Sequence, residues 1–194
     1  MINENWVILG AILQLIGILS YFIAMQKGKV KPNRVTWFLW ALAPLIAFFA
    51  EIKQGVGLLA LMTFMVGAGP LFIFSASFFN KNSAWKITRF DIICGALSIA
   101  GLILWIVTRV GNLAILFSIL ADGLAALPTV RKAYLYPETE DYQVYFFGDI
   151  SAVITLLAIN TWTFAYFGFP AYIVIINTLM VVLIKFWHVR TSPA

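Results

Sequence analysis

The sequence alternates between apolar runs of about twenty residues and short polar stretches that carry most of its charge. That alternation limits the fold more than any motif does. In lipid every backbone N–H and C=O must be satisfied internally, so helices and closed barrels are the available spanning structures. These runs are too long for barrel strands. Seven helices are expected, over 6–25, 35–52, 55–79, 91–108, 112–131, 144–164 and 169–188. Seven spans of about 20 residues take up about 140 residues, leaving only tails and turns outside. The composition agrees, with 62% hydrophobic and 11% charged residues, against about 25% charged in an ordinary soluble domain. The expected class is an all-α polytopic membrane protein with almost no extramembrane domain, in a plasma or inner membrane. Its partners are then membrane lipids and a small molecule.

Charge excludes some functions and sets an orientation. The net charge of +5 does not point to nucleic acid, because the basic residues sit in clusters between apolar runs. The N-terminus and the loops after the second, fourth and sixth spans hold 2 basic residues, Lys53 and Arg109. The other side holds 11: Lys27, Lys29, Lys31, Arg34, Lys81, Lys86, Arg89, Arg131, Lys132, Lys185 and Arg190. The positive-inside rule places that side in the cytosol, with the N-terminus outside and the C-terminus in. One cysteine, Cys94, and one histidine, His188, give no disulfide, no metal framework and no Ser-His-Asp triad. No cofactor and no metal are expected. The first residues carry no Lys or Arg ahead of the apolar run, so they are not read as a cleaved signal.

The chain also repeats itself. The segment 8–46 can be laid on 115–154 at an offset near 107. Each copy begins with an apolar helix holding one central polar residue, Gln14 or Asp122. A polar loop and an aromatic-rich helix start follow in each, Thr36-Trp37-Phe38-Leu39-Trp40 or Val144-Tyr145-Phe146-Phe147. The plan is three helices, a connector and three helices. Residues 1–80 form the first repeat, 81–110 hold the connector and fourth helix, and 111–194 form the second repeat with a short cytosolic tail. An odd connector keeps the two repeats parallel, related by an axis along the membrane normal. Faces rich in small residues, such as Gly95, Ala96, Ser98 and Ala100, suit either internal packing or a homo-oligomer contact.

Polar residues inside apolar runs are the candidates for chemistry. Asp122 lies near the middle of its helix, where a carboxylate costs about 3 kcal/mol or more and by default marks a pathway or proton site. A protonated structural carboxyl is the plain alternative. Asp149 sits near the start of its span, where the helix dipole favours a negative charge and Arg131 or Lys132 is in reach. Together the two aspartates are candidates for proton coupling. Asn177 is polar within an aliphatic run and must face protein or water. Glu51 reads as a solvated interface residue. Trp6, Trp37, Trp40, Trp105, Tyr166 and Trp187 read as aromatic belts. Pro44 and Pro128 read as hinges or tolerated kinks.

With these residues in view, the chain resembles the SWEET and PQ-loop transporter superfamily. Leu127-Pro128-Thr129-Val130-Arg131-Lys132 is similar to the family's Leu-Pro-Gln-Val pattern, with Thr129 in place of glutamine. The stretch from Trp162 to Gly168 is similar to its Trp-x-x-Tyr-Gly helix ending, followed by Pro170 and Ile175-Ile176-Asn177-Thr178-Leu179. The motif-level likeness covers 118–188. It implies a substrate site lined by Trp162 and Asn177. Their spacing of 15 residues places them at equal depth if the outer turn falls midway between them. Phe48, Phe49 and Thr63 stand where a second such pair would fall, and Gln14 is a further wall candidate. The implied function is a carrier moving a small polar solute, a sugar or similar metabolite, by alternating access, with proton coupling open. The chain is not expected to be an enzyme. A seven-helix receptor or sensor is the alternative, and an intramembrane aspartyl protease using Asp122 and Asp149 a weaker one.

Overall fold

Loop chemistry sets the helix boundaries. The structure, a computed structural model, describes residues 2–79, 85–108 and 111–187. Lys81, Arg109, His188, Arg190 and the Trp105 side chain lie outside that description. Seven α-helices occur among the described residues: α1 Trp6–Gln26, α2 Arg34–Lys53, α3 Leu61–Ala76, α4 Arg89–Thr108, α5 Gly111–Leu135, α6 Tyr142–Ala158 and α7 Phe164–Val181. A 3-10 turn, Gly57–Ala60, leads into α3, and a π-helical segment, Val182–Trp187, extends α7. Among the described residues, five helical stretches are long and apolar enough to cross a membrane: α1, α2, Gly57–Ala76, α5 and Phe164–Trp187.

Two caps start helices where the sequence offers a short polar side chain before an apolar run. Asn33 Oδ1 accepts from the backbone N–H of Val35 at 3.1 Å, and its Nδ2 donates to Asp91 Oδ1 at 2.8 Å. One side chain thus caps α2 and ties it to the first turn of α4. Asp141 does the same for α6, accepting from Gln143 N at 2.9 Å while its other oxygen accepts from Ser20 Oγ of α1 at 2.9 Å.

The sixth helix departs from expectation. It ends at Ala158 rather than at 164 and is an apolar helix of 17 residues. Ile159 is already extended, and Thr163 is extended before α7 begins at Phe164. The polar run Asn160-Thr161 stops the helix, since short polar side chains compete for the backbone and favour turns. Thus 159–163 is the connection, and α7 starts five residues earlier than its apolar run predicts.

α1 packs against α6 and α3, α2 against α3 and α5, α7 against α6 and α5, and α4 against α5 and α2. Close approach of α1 and α6 needs glycine: a Cβ on Gly17 would lie 3.1 Å from Val144 Cα. Hydrogen bonds show which loops share an end. Lys31 N donates to Thr139 O at 3.1 Å and Trp85 N to Pro32 O at 3.1 Å, joining the α1–α2, α3–α4 and α5–α6 connections. At the other end Ile2 N donates to Leu157 O at 3.1 Å, and Tyr166 Oη donates to Gly55 O at 3.1 Å. The first end is rich in Lys and Arg; the second carries Lys53. Among the described residues two large apolar clusters fill the bundle, beside a small one of Ala43, Leu102 and Ala121. One, around Tyr21, Met25, Val30, Ala133 and Leu183, lies toward the basic end. The other, around Val7, Val56, Ala60, Ile159 and Phe169, lies toward the opposite end.

Candidate functional site

Between the two apolar clusters lies a cavity reached by side chains of six helices. Gln14 and Ile18 come from α1, Trp37 and Trp40 from α2, Val66 and Pro70 from α3. The other wall is Asp122 of α5, Val144, Tyr145 and Gly148 of α6, and Ile173, Ile176 and Asn177 of α7. About 60 Å³ of the cavity is open to the centre of a water molecule. Since one water needs about 10–15 Å³ by that measure, the chamber as it stands holds a handful of waters or a very small solute.

Asp122 is the ionisable carboxyl in this wall and is 2% exposed. Tyr172 Oη of α7 donates to its Oδ2 at 2.6 Å. Its Oδ1 and Gln14 Oε1 are buried without a protein partner among the described residues, as is Trp40 Nε1. Buried polar atoms are normally hydrogen-bonded, so such a set around a cavity is suited to water or to a polar guest. Asn177, half-buried, also lines the cavity. Its Nδ2 comes so near α6 that a Cβ on Gly148 would stand 2.6 Å from it. Gly148 is therefore the residue that gives the Asn177 amide its place.

The structure brings together three of the residues singled out in the sequence: Gln14, Asp122 and Asn177. The others lie elsewhere. Trp162 is 61% exposed in the α6–α7 turn and packs on Phe167 at a ring separation of 6.0 Å. Asn177 is thirteen residues into α7, about 20 Å along its axis. The equal depth expected for Trp162 and Asn177 fails because the turn falls at 159–163 instead of midway. Phe48 and Phe49 pack on each other at 5.3 Å, with Phe49 62% exposed. Thr63 is buried and donates to Glu51 Oε1 at 3.1 Å, so Glu51 is an interior residue and not a solvated one. Asp149 accepts from Thr178 Oγ1 at 2.9 Å rather than pairing with Arg131 or Lys132, and it stands outside the cavity wall. Pro44 and Pro128 are buried inside α2 and α5, away from that wall; the proline in it is Pro70.

Sequence reasoning missed Trp37, Trp40 and Tyr145. The two tryptophans follow the charged end of α2, where interface anchors also occur. They are 2% and 8% exposed, with rings 5.7 Å apart, and Trp40 meets Tyr145 edge-on at 6.1 Å. The available signal was their i, i+3 spacing, which puts both on one helix face. No protein-family model, no curated protein and no solved structure matches the chain.

Proposed function

We propose that this chain is an integral membrane carrier that moves a small polar solute through the central cavity by alternating access. In this reading α1–α3 and α5–α7 are two parallel repeats joined by α4, on the plan of the SWEET and PQ-loop carriers that the sequence resembles. The N-terminus lies outside and the C-terminus in the cytosol.

The observation that carries the proposal is the composition of the cavity wall. Three pairs of lining residues fall at one offset of 107: Trp37 with Val144, Val66 with Ile173, and Pro70 with Asn177. Gln14 and Asp122 are offset by 108. The helix contacts follow the same exchange, since α1 meets α6 as α5 meets α2. In this reading both repeats contribute equivalent surfaces to one largely apolar chamber that holds the polar groups of Gln14, Asp122 and Asn177, and rocking one against the other would open it alternately to either end. Polar residues in a lipid-embedded bundle are expensive unless they serve such a pathway. The carboxylate of Asp122, hydrogen-bonded to Tyr172, suits either a cationic solute or an exchangeable proton.

The test uses the purified chain in proteoliposomes containing a pH-sensitive dye. Sugars, amino acids and small amines are offered in turn. A coupled substrate shifts the internal pH, and Asp122→Asn removes at least about 90% of the response, in line with the loss of an interaction made only on the transport path. Uptake of radiolabelled solute without a pH change would leave a carrier without coupling. No uptake of any class, alongside thermal stabilisation by one of them, would replace the carrier by the receptor reading.

A further inference from the structure

At the basic end the chain buries an ion pair eight residues apart in sequence. Lys132 lies in the last turn of α5 and Glu140 just before α6. Their side chains are 1% and 0% exposed, with Nζ 2.6 Å from Oε1. Lys132 Nζ also donates to the backbone oxygen of Lys31 and to Thr139 O at 3.3 Å. An ammonium has three donors, and here all three are engaged. Glu140 Oε2 accepts from Tyr145 Oη at 3.2 Å. Tyr145 is 4% exposed, and its ring is part of the cavity wall.

Two features make this more than a loop fastening. The acceptor on Lys31 belongs to the α1–α2 connection, whereas Lys132 and Glu140 belong to the α5–α6 connection, so the pair joins equivalent loops of the two halves. Further, the chain Glu140–Tyr145–Trp40–Trp37 runs from the ion pair directly into the cavity wall, through contacts at 3.2, 6.1 and 5.7 Å. A buried pair that loses one partner leaves an unpaired charge in a dry site, a large penalty. Such an interaction is fully made or fully broken, the behaviour expected of a bistable element.

We infer that Lys132, Glu140 and Tyr145 form a latch that shuts the cavity at the basic end and parts when the cavity opens there. Tyr145 serves both sides, so a guest that draws its hydroxyl or ring away weakens the hold on Glu140. The inference rests on the carrier reading and names the gate of the same site.

The experiment measures access to the cavity in membrane vesicles of either orientation. Cys94→Ser removes the native thiol, and Ile18→Cys places a reporter in the cavity wall. An impermeant maleimide is added from one side at a time. Glu140→Gln should raise the labelling rate from the basic end at least about tenfold, because the open population grows with the cost of the closed one. Labelling from the opposite end should not rise. Tyr145→Phe, which removes only the hydroxyl, should produce a smaller rise in the same direction. Should Glu140→Gln fail to fold, Tyr145→Phe carries the test alone, whereas Lys132→Met with Glu140→Leu, which leaves no unpaired charge, should label near the parent rate and is no substitute. An oxidised cross-link between Lys31→Cys and Thr139→Cys leaves the pair intact, and it should block labelling from the basic end and stop solute movement. Folded single variants that label at the parent rate from the basic end, or a cross-link that leaves flux and labelling unchanged, would overturn the latch. Flux in the parent chain beside unaltered labelling in the single variants sinks the latch alone. One-sided labelling changes in a chain that moves no solute keep the gate and sink the carrier.

Discussion

Gly148 is where the site is most exposed to a single atom. Alanine is the better helix former by about 1 kcal/mol, so Gly148→Ala ought to leave the fold as stable or make it more so. Its Cβ would nevertheless meet Asn177 Nδ2 at 2.6 Å, a contact the amide relieves by swinging away. The expected result is an unchanged or slightly raised melting temperature with solute affinity down about tenfold, roughly 1.4 kcal/mol. Thermal shift with and without ligand reads both numbers from one sample, and undiminished affinity would remove Asn177 from the binding wall. Gln14, Asp122 and Asn177 were legible because a polar atom in an apolar helix has few places to go. Trp37 and Trp40 were not, because a tryptophan near the end of an apolar run looks alike whether it anchors at an interface or turns inward. Glu51 fails for a related reason: its position two residues from the end of α2 says nothing of the Thr63 hydroxyl that receives it in the folded chain.

At the scale of elements, the helices that begin after a good cap were read within two residues, and the one that ends on weak signals was not. Asn33 and Asp141 announce α2 and α6 by chemistry visible in the sequence, an amide or carboxylate ahead of an apolar run. The end of α6 rests on Asn160 and Thr161 interrupting residues that otherwise stay apolar into α7, and hydropathy averages across so short a break. That shift carries Trp162 out of the site and into the turn. Trp162→Ala should therefore change solute affinity by less than about twofold, as substitutions on exposed positions usually do. Trp40→Ala opens space in a buried wall, and a loss of about 3–5 kcal/mol of stability is expected for such a truncation, together with loss of ligand-induced stabilisation. Denaturation midpoints in detergent, compared for the two variants, check the contrast. Equal effects would return Trp162 to the site.

The whole molecule has two unlike ends, and the unlikeness was written in the order of charges before any helix was placed. Loops after α1, α3 and α5 come together, as the Lys31–Thr139 and Pro32–Trp85 hydrogen bonds attest, and they carry Lys27, Lys29, Lys31 and Lys86 among them, with Lys132 in the last turn of α5 beside them. At the other end the segment before α1 meets the last turn of α6, and the connection before α3 meets the start of α7. If the bundle spans a membrane, the charge bias must orient it, because translocating so many basic residues in short loops is disfavoured. Cys94 is 3% exposed and should be silent to aqueous reagents in the folded chain, so introduced thiols can report alone. On intact cells an impermeant maleimide should label Asn5→Cys and leave Lys29→Cys untouched; both should react once the membrane is permeabilised. The opposite pattern would invert the orientation while preserving the span, and with it would exchange the side from which the Lys132–Glu140 latch is opened. Labelling of both positions on intact cells would mean that the two ends share one compartment, which no spanning arrangement of these helices allows.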